Sequence, residues 1–200
     1  MKDPGETAGP RLGEVPGDQV IYKGERVELV LRKVRTNSGK EITREVCLHP
    51  GAVIILPVAK NGEIVMIRNR RHTVFEELLE LPAGTLERKA DGMPEDPALC
   101  ASRELTEETG YTAETLEPFG WFYTSPGILT EKMYAFVARG LTAGAQDLED
   151  NEQIRVERIP PEQALALIRE NRIVDAKTIA TLLKYLVGSS HAADIPARKA

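Results

Sequence analysis

The chain has 200 residues, of which 42% are hydrophobic and 28% charged, and it carries a formal net charge of −5 with a pI of about 5.4. This is the composition of an ordinary water-soluble domain, and the lack of a basic block argues against a nucleic acid or an anionic membrane as a partner. Cys47 and Cys100 lack metal-ligand spacing and no apolar run reaches transmembrane length, so we expect reduced thiols and a cytoplasmic location.

The first 48 residues predict two different regions. Residues 1–17 are rich in Gly, Pro and acidic residues, a composition typical of disorder. Residues 18–48 hold two alternating segments separated by the turn-forming sequence TNSGK, and the first segment places Val27, Leu29 and Leu31 on one face. We therefore expect a small antiparallel β-sheet at the N-terminal side of the main domain.

Three further strands are predicted before the middle of the chain. The nearly continuous apolar run AVIILPVAK predicts a buried strand at 52–60. Asn61 and Gly62 follow it, and this dipeptide is a strong hairpin signal, so EIVMIRNRR at 63–71 is predicted to be the partner strand. EELLELPAG at 76–84 predicts a strand that runs into a loop.

A helix with clear boundaries is predicted next. Asp96 suits the N-cap position, and Pro97 suits the first helical position. The helix should run to Thr109, because Gly110 can adopt the left-handed conformation that ends helices.

The rest of the chain alternates predicted strands and helices. Strands are expected at 120–125, 132–140 and 153–159, and helices are expected from Pro161 and from Asp175 to Val187, before a loose tail at 188–200. Strands joined by hairpins and mixed with a few helices favour an α+β fold over a doubly wound parallel sheet.

Three glutamates share one face of the helix that ends at Thr109. Successive helical residues turn by about 100°, so Glu104, Glu107 and Glu108 lie on a face about 100° wide, with Arg103 at its border. Each like-charge pair costs roughly a few tenths of a kcal/mol in water, and the dipole near the helix C-terminus disfavours anions. A hard divalent cation would resolve this conflict. The alternative is a solvated acidic helix end with Arg103 as its counterion.

The wider window from Gly84 to Tyr111, GTLERKADGMPEDPALCASRELTEETGY, resembles the Nudix box, Gly-x5-Glu-x7-Arg-Glu-apolar-x-Glu-Glu-x-Gly-apolar. Every defined position from Glu95 onward matches. Upstream, the ten residues 85–94 stand where the family usually has five, which we interpret as a loop insertion. The resemblance implies a Nudix-type α/β/α sandwich with a mixed sheet over residues 49–187, preceded by the small N-terminal sheet.

The resemblance also implies a metal site. Glu104 and Glu108 are similar to direct metal ligands of the family, and Glu107 is similar to a further ligand or a base. The backbone carbonyl of Ala83 resembles another ligand. The implied cofactor is Mg²⁺, with Mn²⁺ as the alternative.

Three other positions of the box take supporting roles by the same resemblance. Arg103 is similar to the catalytic arginine that orients the glutamates through ion pairs. Glu95 is similar to the glutamate that supports this arginine. Gly84 would let the backbone approach the substrate phosphates closely, which glycine allows in any protein.

The flanks of the box resemble the ADP-ribose pyrophosphatase subfamily. SPGILTE follows the box, and Ser125, Pro126 and Gly127 are expected to contact the substrate by this resemblance. Glu131 occupies a position that suits the general base, with Glu107 as the alternative base. Without the resemblance, Glu131 would be an exposed loop carboxylate paired with Lys132.

Arginines near residue 70 are candidates for binding the substrate. Arg71 resembles a residue that holds the diphosphate, and a planar guanidinium can contact phosphate oxygens at two points. Arg68 and Arg70 are nearby candidates, although the alternation of a strand points them away from Arg71. Glu80 is expected to support the ribose or a metal-bound water.

The residue that stacks on the adenine is not identified by spacing. Tyr22 and Phe75 are candidates, whereas Trp121 is expected to pack in the core. The three histidines show no metal-ligand spacing and are expected to be ordinary surface or loop residues: His49, His72 and His191.

The implied reaction is Mg²⁺-dependent hydrolysis of ADP-ribose to AMP and ribose 5-phosphate. Another nucleoside diphosphate sugar, a dinucleotide or NADH is the alternative substrate. A non-catalytic nucleotide-sugar sensor is the alternative from another class, but such sensors usually lose carboxylates of the box, which are all present here. The N-terminal sheet resembles the dimerisation element of the subfamily, so a homodimer is expected.

Overall fold

The computed structural model describes residues 13–24, 27–89, 93–150 and 152–190. Most of the predicted disordered leader and of the predicted tail lies outside these described residues. The strands, numbered in chain order, are β1 (Gln19–Lys23), β2 (Glu28–Arg35), β3 (Glu41–Leu48), β4 (Ala52–Pro57), β5 (Ile64–Arg71), β6 (Glu76–Glu80), β7 (Ala83–Thr85), β8 (Tyr111–Thr112), β9 (Thr115–Tyr123), β10 (Lys132–Arg139), β11 (Thr142–Ala143) and β12 (Ile154–Ile159). The helices are α1 (Pro97–Thr109), α2 (Pro161–Arg169) and α3 (Ala176–Ser190).

The predicted N-terminal sheet is present, with β2 between β1 and β3 and all pairs antiparallel. Its inward face differs from the prediction. Val30 is buried, whereas Leu29 and Leu31 are only half-buried. The reason is that the Val30 face of β2 lies beside Leu48 and the segment 14–18, which cover it.

Two further sheets form the body of the molecule. The first has the order β7-β4-β10-β9, in which β4 and β10 run parallel and the other neighbours are antiparallel, so it is a mixed sheet. The second has the order β12-β5-β6 and is antiparallel. The short strands β8 and β11 form a two-stranded ribbon.

The turn predicted at Asn61–Gly62 is confirmed, but the predicted pairing of the two flanking strands is wrong. The turn is there, with Gly62 at φ 86° and its N–H donating to the Ala59 carbonyl at 2.8 Å. However, β5 pairs with β12 and β6 rather than with β4, and a single bridge between Val58 and Ile64 joins the two arms. Both edges of β4 are already occupied by β7 and β10, so no edge is left for β5.

Every residue of β4 is buried, because helices cover both faces of its sheet. Ile54 and Leu56 belong to the core cluster that includes residues of α2 and α3. Val53 and Ile55 point the other way and pack with Leu105 of α1. This alternation along one strand produces the helix–sheet–helix layering that the resemblance predicted.

The predicted boundaries of α1 are confirmed. One carboxylate oxygen of Asp96 accepts hydrogen bonds from the backbone N–H groups of the first turn. Gly110 ends the helix at φ 73°, with its N–H donating to the Thr106 carbonyl at 2.8 Å.

Asp175 caps α3 through the Thr178 N–H at 3.0 Å, but α3 continues past Gly188 to Ser190.

The buried face of α2 consists of Ala164 and Leu167. None of the helices within the described residues is long and apolar enough to cross a membrane.

Candidate active site

An open cleft of about 630 Å³ brings most of the predicted site residues together. β5 contributes Arg71 from its C-terminal end, and α1 contributes its acidic face. The residues that line the cleft are Pro50, Arg71, Ala83, Gly84, Thr85, Leu86, Glu87, Arg88, Arg103, Glu104, Glu107, Glu108, Glu149 and Glu152.

Arg103 lies at the border of the acidic face and contacts two of its carboxylates together with Glu95, which precedes α1. Its Nη1 is 3.0 Å from Glu104 and donates to Glu107 at 2.8 Å. Its Nη2 donates to Glu95 at 3.2 Å. These contacts agree with the roles that the resemblance implied for Arg103 and Glu95.

Glu108 has a different environment from its neighbours on α1. Its carboxylate is almost fully buried, and one oxygen accepts a hydrogen bond from the Ala83 N–H at 2.9 Å. The backbone at the start of β7 is therefore fixed directly to the acidic face. This contact places the N–H of Ala83 beside the carboxylates, and the role of its carbonyl oxygen as a metal ligand stays a prediction.

The side chain of Glu104 occupies the space beside Gly84. A Cβ at this position would lie 1.9 Å from the Cδ of Glu104, a distance that no real side chain tolerates. The sequence interpretation gave Gly84 the role of admitting substrate phosphates. The geometry shows that its first effect is to let Glu104 lie against the β7 backbone.

The buried carboxylates hold protons unusually tightly. Burial raises the pKa of Glu104 to about 7, with the charges of Glu107 and Glu152 adding to the effect and Arg103 opposing it. Burial also raises the pKa of Glu108 to about 8, and Glu104 again adds to the rise. Both shifts mean that the fully ionised face lacks sufficient positive charge.

The donor set of this face fits a hard divalent cation. All its side-chain donors are carboxylate oxygens, which Mg²⁺ and Mn²⁺ prefer. Burial is the main cause of the raised pKa values and the neighbouring carboxylates add to the rise, so a bound cation would favour the ionised forms. Within the described residues, no group of three or more His, Cys, Asp or Glu side chains is arranged to hold a metal ion. Glu104 and Glu107 are instead paired with Arg103, and Glu108 with the Ala83 N–H.

A family model described as a NUDIX domain matches residues 48–182. The chain belongs to the Nudix family. The match confirms the family that the box predicted. A solved structure described as an ADP compounds hydrolase superposes on this Nudix protein with a TM-score of 0.75 and covers 94% of this chain and 100% of that chain. At 17% identity, this likeness supports the fold.

Curated relatives are similar over most of this Nudix protein. The ADP-ribose pyrophosphatase of Bacillus subtilis (strain 168) is 38% identical over 168 residues, which cover 83% of this chain and 88% of the relative. A methanol dehydrogenase activator of Bacillus methanolicus is 37% identical with the same coverage. A GDP-mannose pyrophosphatase of Escherichia coli O139:H28 (strain E24377A / ETEC) is 34% identical over 153 residues, 72% of this chain and 76% of the relative.

Arg71 and Glu80 are brought together, but only Arg71 lines the cleft of this Nudix protein. Glu80 is 0% exposed and accepts hydrogen bonds from Nε and Nη2 of Arg71 at 2.8 and 2.7 Å. A direct contact between Glu80 and a ribose or metal-bound water does not fit this burial. Arg68 pairs with Glu157 on β12, and Arg70 is exposed.

The loop between β9 and β10 contributes none of the described residues that line the cleft, so Ser125, Pro126, Gly127 and Glu131 are not among them. One oxygen of Glu131 accepts a hydrogen bond from the Thr124 hydroxyl at 2.5 Å. The other is 3.4 Å from Nε2 of His49.

One prediction about a ring side chain is wrong, and another is only partly right. His49 lies in a loop as predicted, but it is only 7% exposed, and its Nδ1 accepts a hydrogen bond from the Gly51 N–H. Trp121 is 53% exposed rather than in the core, because it lies on the edge strand β9 with the Lys132 ammonium 4.2 Å from its ring centroid. Tyr22 and Phe75 are exposed as well.

The sequence interpretation missed Glu149 and Glu152, which line the cleft from the loop before β12. In the sequence they resemble surface charges. The loop is held against the end of α1 because the Asp147 N–H donates to the Glu107 carbonyl at 3.0 Å and the Gln146 amide donates to the Glu108 carbonyl at 2.6 Å. Only this contact between distant segments reveals the two glutamates.

The segment 85–94, which holds the insertion, contributes four cleft residues, Thr85, Leu86, Glu87 and Arg88. Its two arms pair through backbone hydrogen bonds from Lys89 to Met93 at 2.8 Å and from Glu95 to Glu87 at 2.7 Å. Residues 90–92 lie outside the described residues. The described arms therefore form part of the cleft wall.

The raised pKa values predict how metal and pH affect stability. The folded protein holds protons on Glu104 and Glu108 above the ordinary glutamate pKa of 4.5. Without metal, the contribution of these two groups to stability is therefore fully present below that pH and is lost as pH rises through about 7 and about 8. Mg²⁺ must replace these protons, so it should raise the melting temperature more at pH 8 than at pH 6. Thermal denaturation with and without Mg²⁺ measures this. An equal rise at both pH values would contradict the prediction.

Proposed function

We propose that this protein hydrolyses the diphosphate bond of ADP-ribose, with water, to AMP and ribose 5-phosphate. The observation that carries the proposal is the cleft. In it, the carboxylate face of α1, whose Glu104 and Glu108 have raised pKa values, lies together with Arg71. The similarity to an ADP-ribose pyrophosphatase over most of both chains supports the choice of substrate.

Glu104, Glu107, Glu108 and the carbonyl oxygen of Ala83 would hold Mg²⁺, with Mn²⁺ as the alternative. The bound cation supplies charge neutralisation of the diphosphate and a more acidic water. Arg103 keeps Glu104 and Glu107 on one side of the cleft by its ion pairs. Gly84 leaves the room that the Glu104 side chain occupies.

Arg71 would bind the diphosphate. Two of its N–H groups are engaged by Glu80, which fixes the plane of the guanidinium. The hydrogen bonds to Glu80 raise the pKa of Arg71 above its usual value, so it stays charged at any working pH. A guanidinium group with a fixed orientation and a permanent charge can contact phosphate oxygens at two points.

For the general base, the cleft supports Glu107 over Glu131. Glu107 lines the cleft, whereas both oxygens of Glu131 face partners outside it, Thr124 and His49. A base must come within hydrogen-bond reach of the water that it deprotonates. The resemblance of the SPGILTE loop remains the argument for Glu131, with Ser125, Pro126 and Gly127 as its substrate contacts.

A second substrate class has specific support. The similarity to a GDP-mannose pyrophosphatase favours another nucleoside diphosphate sugar as the alternative. The carboxylate face and Arg71 would suit any substrate with a diphosphate, because neither has to contact the nucleobase or the sugar. The non-catalytic sensor remains disfavoured, since every carboxylate of the box is present in the cleft or beside Arg103.

We also propose a cytoplasmic homodimer. β1 exposes Val20, Ile21 and Tyr22, and the edge strand β9 exposes Trp121 and Tyr123. Exposed apolar residues in such numbers are typical of an interface. The N-terminal sheet would form the dimer contact, and light scattering that shows a fully active monomer would refute it.

A substrate panel tests the function directly. Purified protein with Mg²⁺ is incubated with ADP-ribose, GDP-mannose, NADH and a dinucleoside polyphosphate, and the products are separated by chromatography. We expect AMP and ribose 5-phosphate from ADP-ribose at the highest kcat/KM. A preference for GDP-mannose would select the alternative substrate, and no turnover of any compound would refute the enzyme.

Replacing the most buried carboxylate tests the metal assignment. Glu108→Gln should lower kcat by at least about a hundredfold, because it removes an anionic ligand without changing the size of the side chain. Glu162→Gln on the exposed face of α2 is the matched control and should leave kcat unchanged. A near-normal rate for Glu108→Gln at saturating Mg²⁺ would contradict the assignment.

The two candidate bases are separated by a matched pair of variants. Glu107→Gln should lower kcat by about two orders of magnitude or more, whereas Glu131→Gln should lower it by less than about tenfold. Steady-state rates at saturating ADP-ribose and Mg²⁺ measure both. The opposite order would restore Glu131 as the base.

A further inference from the structure

A buried group of four charges lies behind the cleft wall that carries Arg71. Glu80 on β6 is fully buried, and Lys177 in the first turn of α3 donates to its Oε2 at 2.5 Å. The ammonium group of Lys177 is also 2.9 Å from Asp175. The same oxygen of Glu80 accepts the hydrogen bond from Nη2 of Arg71, so the two cations share one carboxylate.

The group links the cleft to a helix that does not itself line it. Arg71 and Glu80 lie on neighbouring strands, while Lys177 is 97 residues away from Glu80 in the sequence. The side chain of Lys177 is 15% exposed, so its ammonium group has little access to water. Burying a lysine is costly unless the charge is paired, and here both partners are carboxylates.

The charges of the group determine what Arg71 can offer to a substrate. The four charges sum to zero with Lys177 present, whereas Arg71 alone would balance only one of the two carboxylates, Glu80 and Asp175. With Lys177 present, Glu80 divides its negative charge between two cations. The cleft is otherwise rich in carboxylates, so the charge left on Arg71 matters for attracting an anion.

The geometry of the guanidinium leads to the same conclusion. A guanidinium has five N–H donors, and Glu80 engages one on Nε and one on Nη2. The remaining three lie on Nη1 and Nη2, and Arg71 forms part of the cleft wall. Holding Glu80 still therefore holds the donors of Arg71 in one orientation towards the cleft.

We propose that Lys177 is a positioning residue for substrate binding. It acts through Glu80 to orient the guanidinium group of Arg71 and to keep the positive charge of that group available to the diphosphate. The inference rests on the proposed function only in requiring a substrate with a diphosphate. Lys177 is not among the residues that line the cleft. Because it acts on substrate binding through Arg71, it should affect KM far more than kcat.

A purely structural role for Lys177 makes a different prediction. The first turn of α3 has a second, uncharged contact with the end of β6, where the Leu81 N–H donates to the Thr178 hydroxyl at 2.9 Å. Thr178→Val removes this contact, keeps the shape of the side chain and leaves the charged group intact. If Lys177 only attached α3, both variants would have the same effect on KM.

The experiment compares Lys177→Met with Thr178→Val, using kcat, KM and melting temperature with Mg²⁺ and the best substrate. Lys177→Met should raise KM by about fivefold to twentyfold with kcat within about twofold, and Lys177→Arg should restore most of the loss. Thr178→Val should lower the melting temperature and leave KM unchanged. Lys177→Gln, which keeps a hydrogen-bond donor without the charge, serves if Lys177→Met does not fold. An unchanged KM in the uncharged variants, or an equal rise in Thr178→Val, would overturn the inference.

A double-mutant cycle shows whether Lys177 acts through Arg71. In an Arg71→Ala background, Lys177→Met should cause no further rise in KM, and additive effects would overturn the inference. Binding of inorganic pyrophosphate with Mg²⁺, measured by calorimetry, separates this result from the function. Weaker pyrophosphate binding by Lys177→Met supports the inference even if no substrate is hydrolysed. A lack of hydrolysis would count against the proposed function alone. Equal or absent binding in wild type and variant would overturn it.

Discussion

The crowding of carboxylates on α1 is the constraint on which the rest of the site depends. Glu104 and Glu108 are buried beside each other with pKa values raised to about 7 and about 8. Arg103 relieves part of the repulsion, and the Ala83 N–H stabilises Glu108. The face remains short of positive charge, which is why a divalent cation and a cationic wall are the natural complements of this helix.

The scaffold around the helix serves this face from several directions. β7 supplies a glycine against which Glu104 lies and a backbone donor for Glu108. The loop before β12 is fixed to the carbonyl groups at the end of α1 and adds Glu149 and Glu152 to the cleft. The end of β5 supplies Arg71, the charge of opposite sign. Each contribution comes from a different part of the chain.

Local elements were predicted well because their signals are local. The start and end of α1 follow from Asp96 and Gly110, which act within one turn of the helix. The pairing of strands was predicted less well. The turn at Asn61 and Gly62 formed as its sequence indicates, but β5 pairs elsewhere because β7 and β10 already occupy both edges of β4. Competition for a strand edge is a property of the whole fold.

The solvent exposure of side chains was also poorly predicted where it depends on which other segments pack beside them. Trp121 is hydrophobic enough for a core, but it lies on an edge strand and remains exposed. His49 showed no motif in the sequence, yet it is buried beside Glu131, which lies 82 positions further along the chain. Neither environment is encoded in the residues next to it.

The sequence by itself determined the chemistry of this protein, because the spacing of Glu104, Glu107 and Glu108 on one helix requires only helical geometry to form the acidic face. It also determined the family, through a motif whose positions are close together. The tertiary structure decided which other groups surround that face. Glu149 and Lys177 gain their roles from contacts between segments far apart in the chain, and such contacts exist only after the sheets have packed.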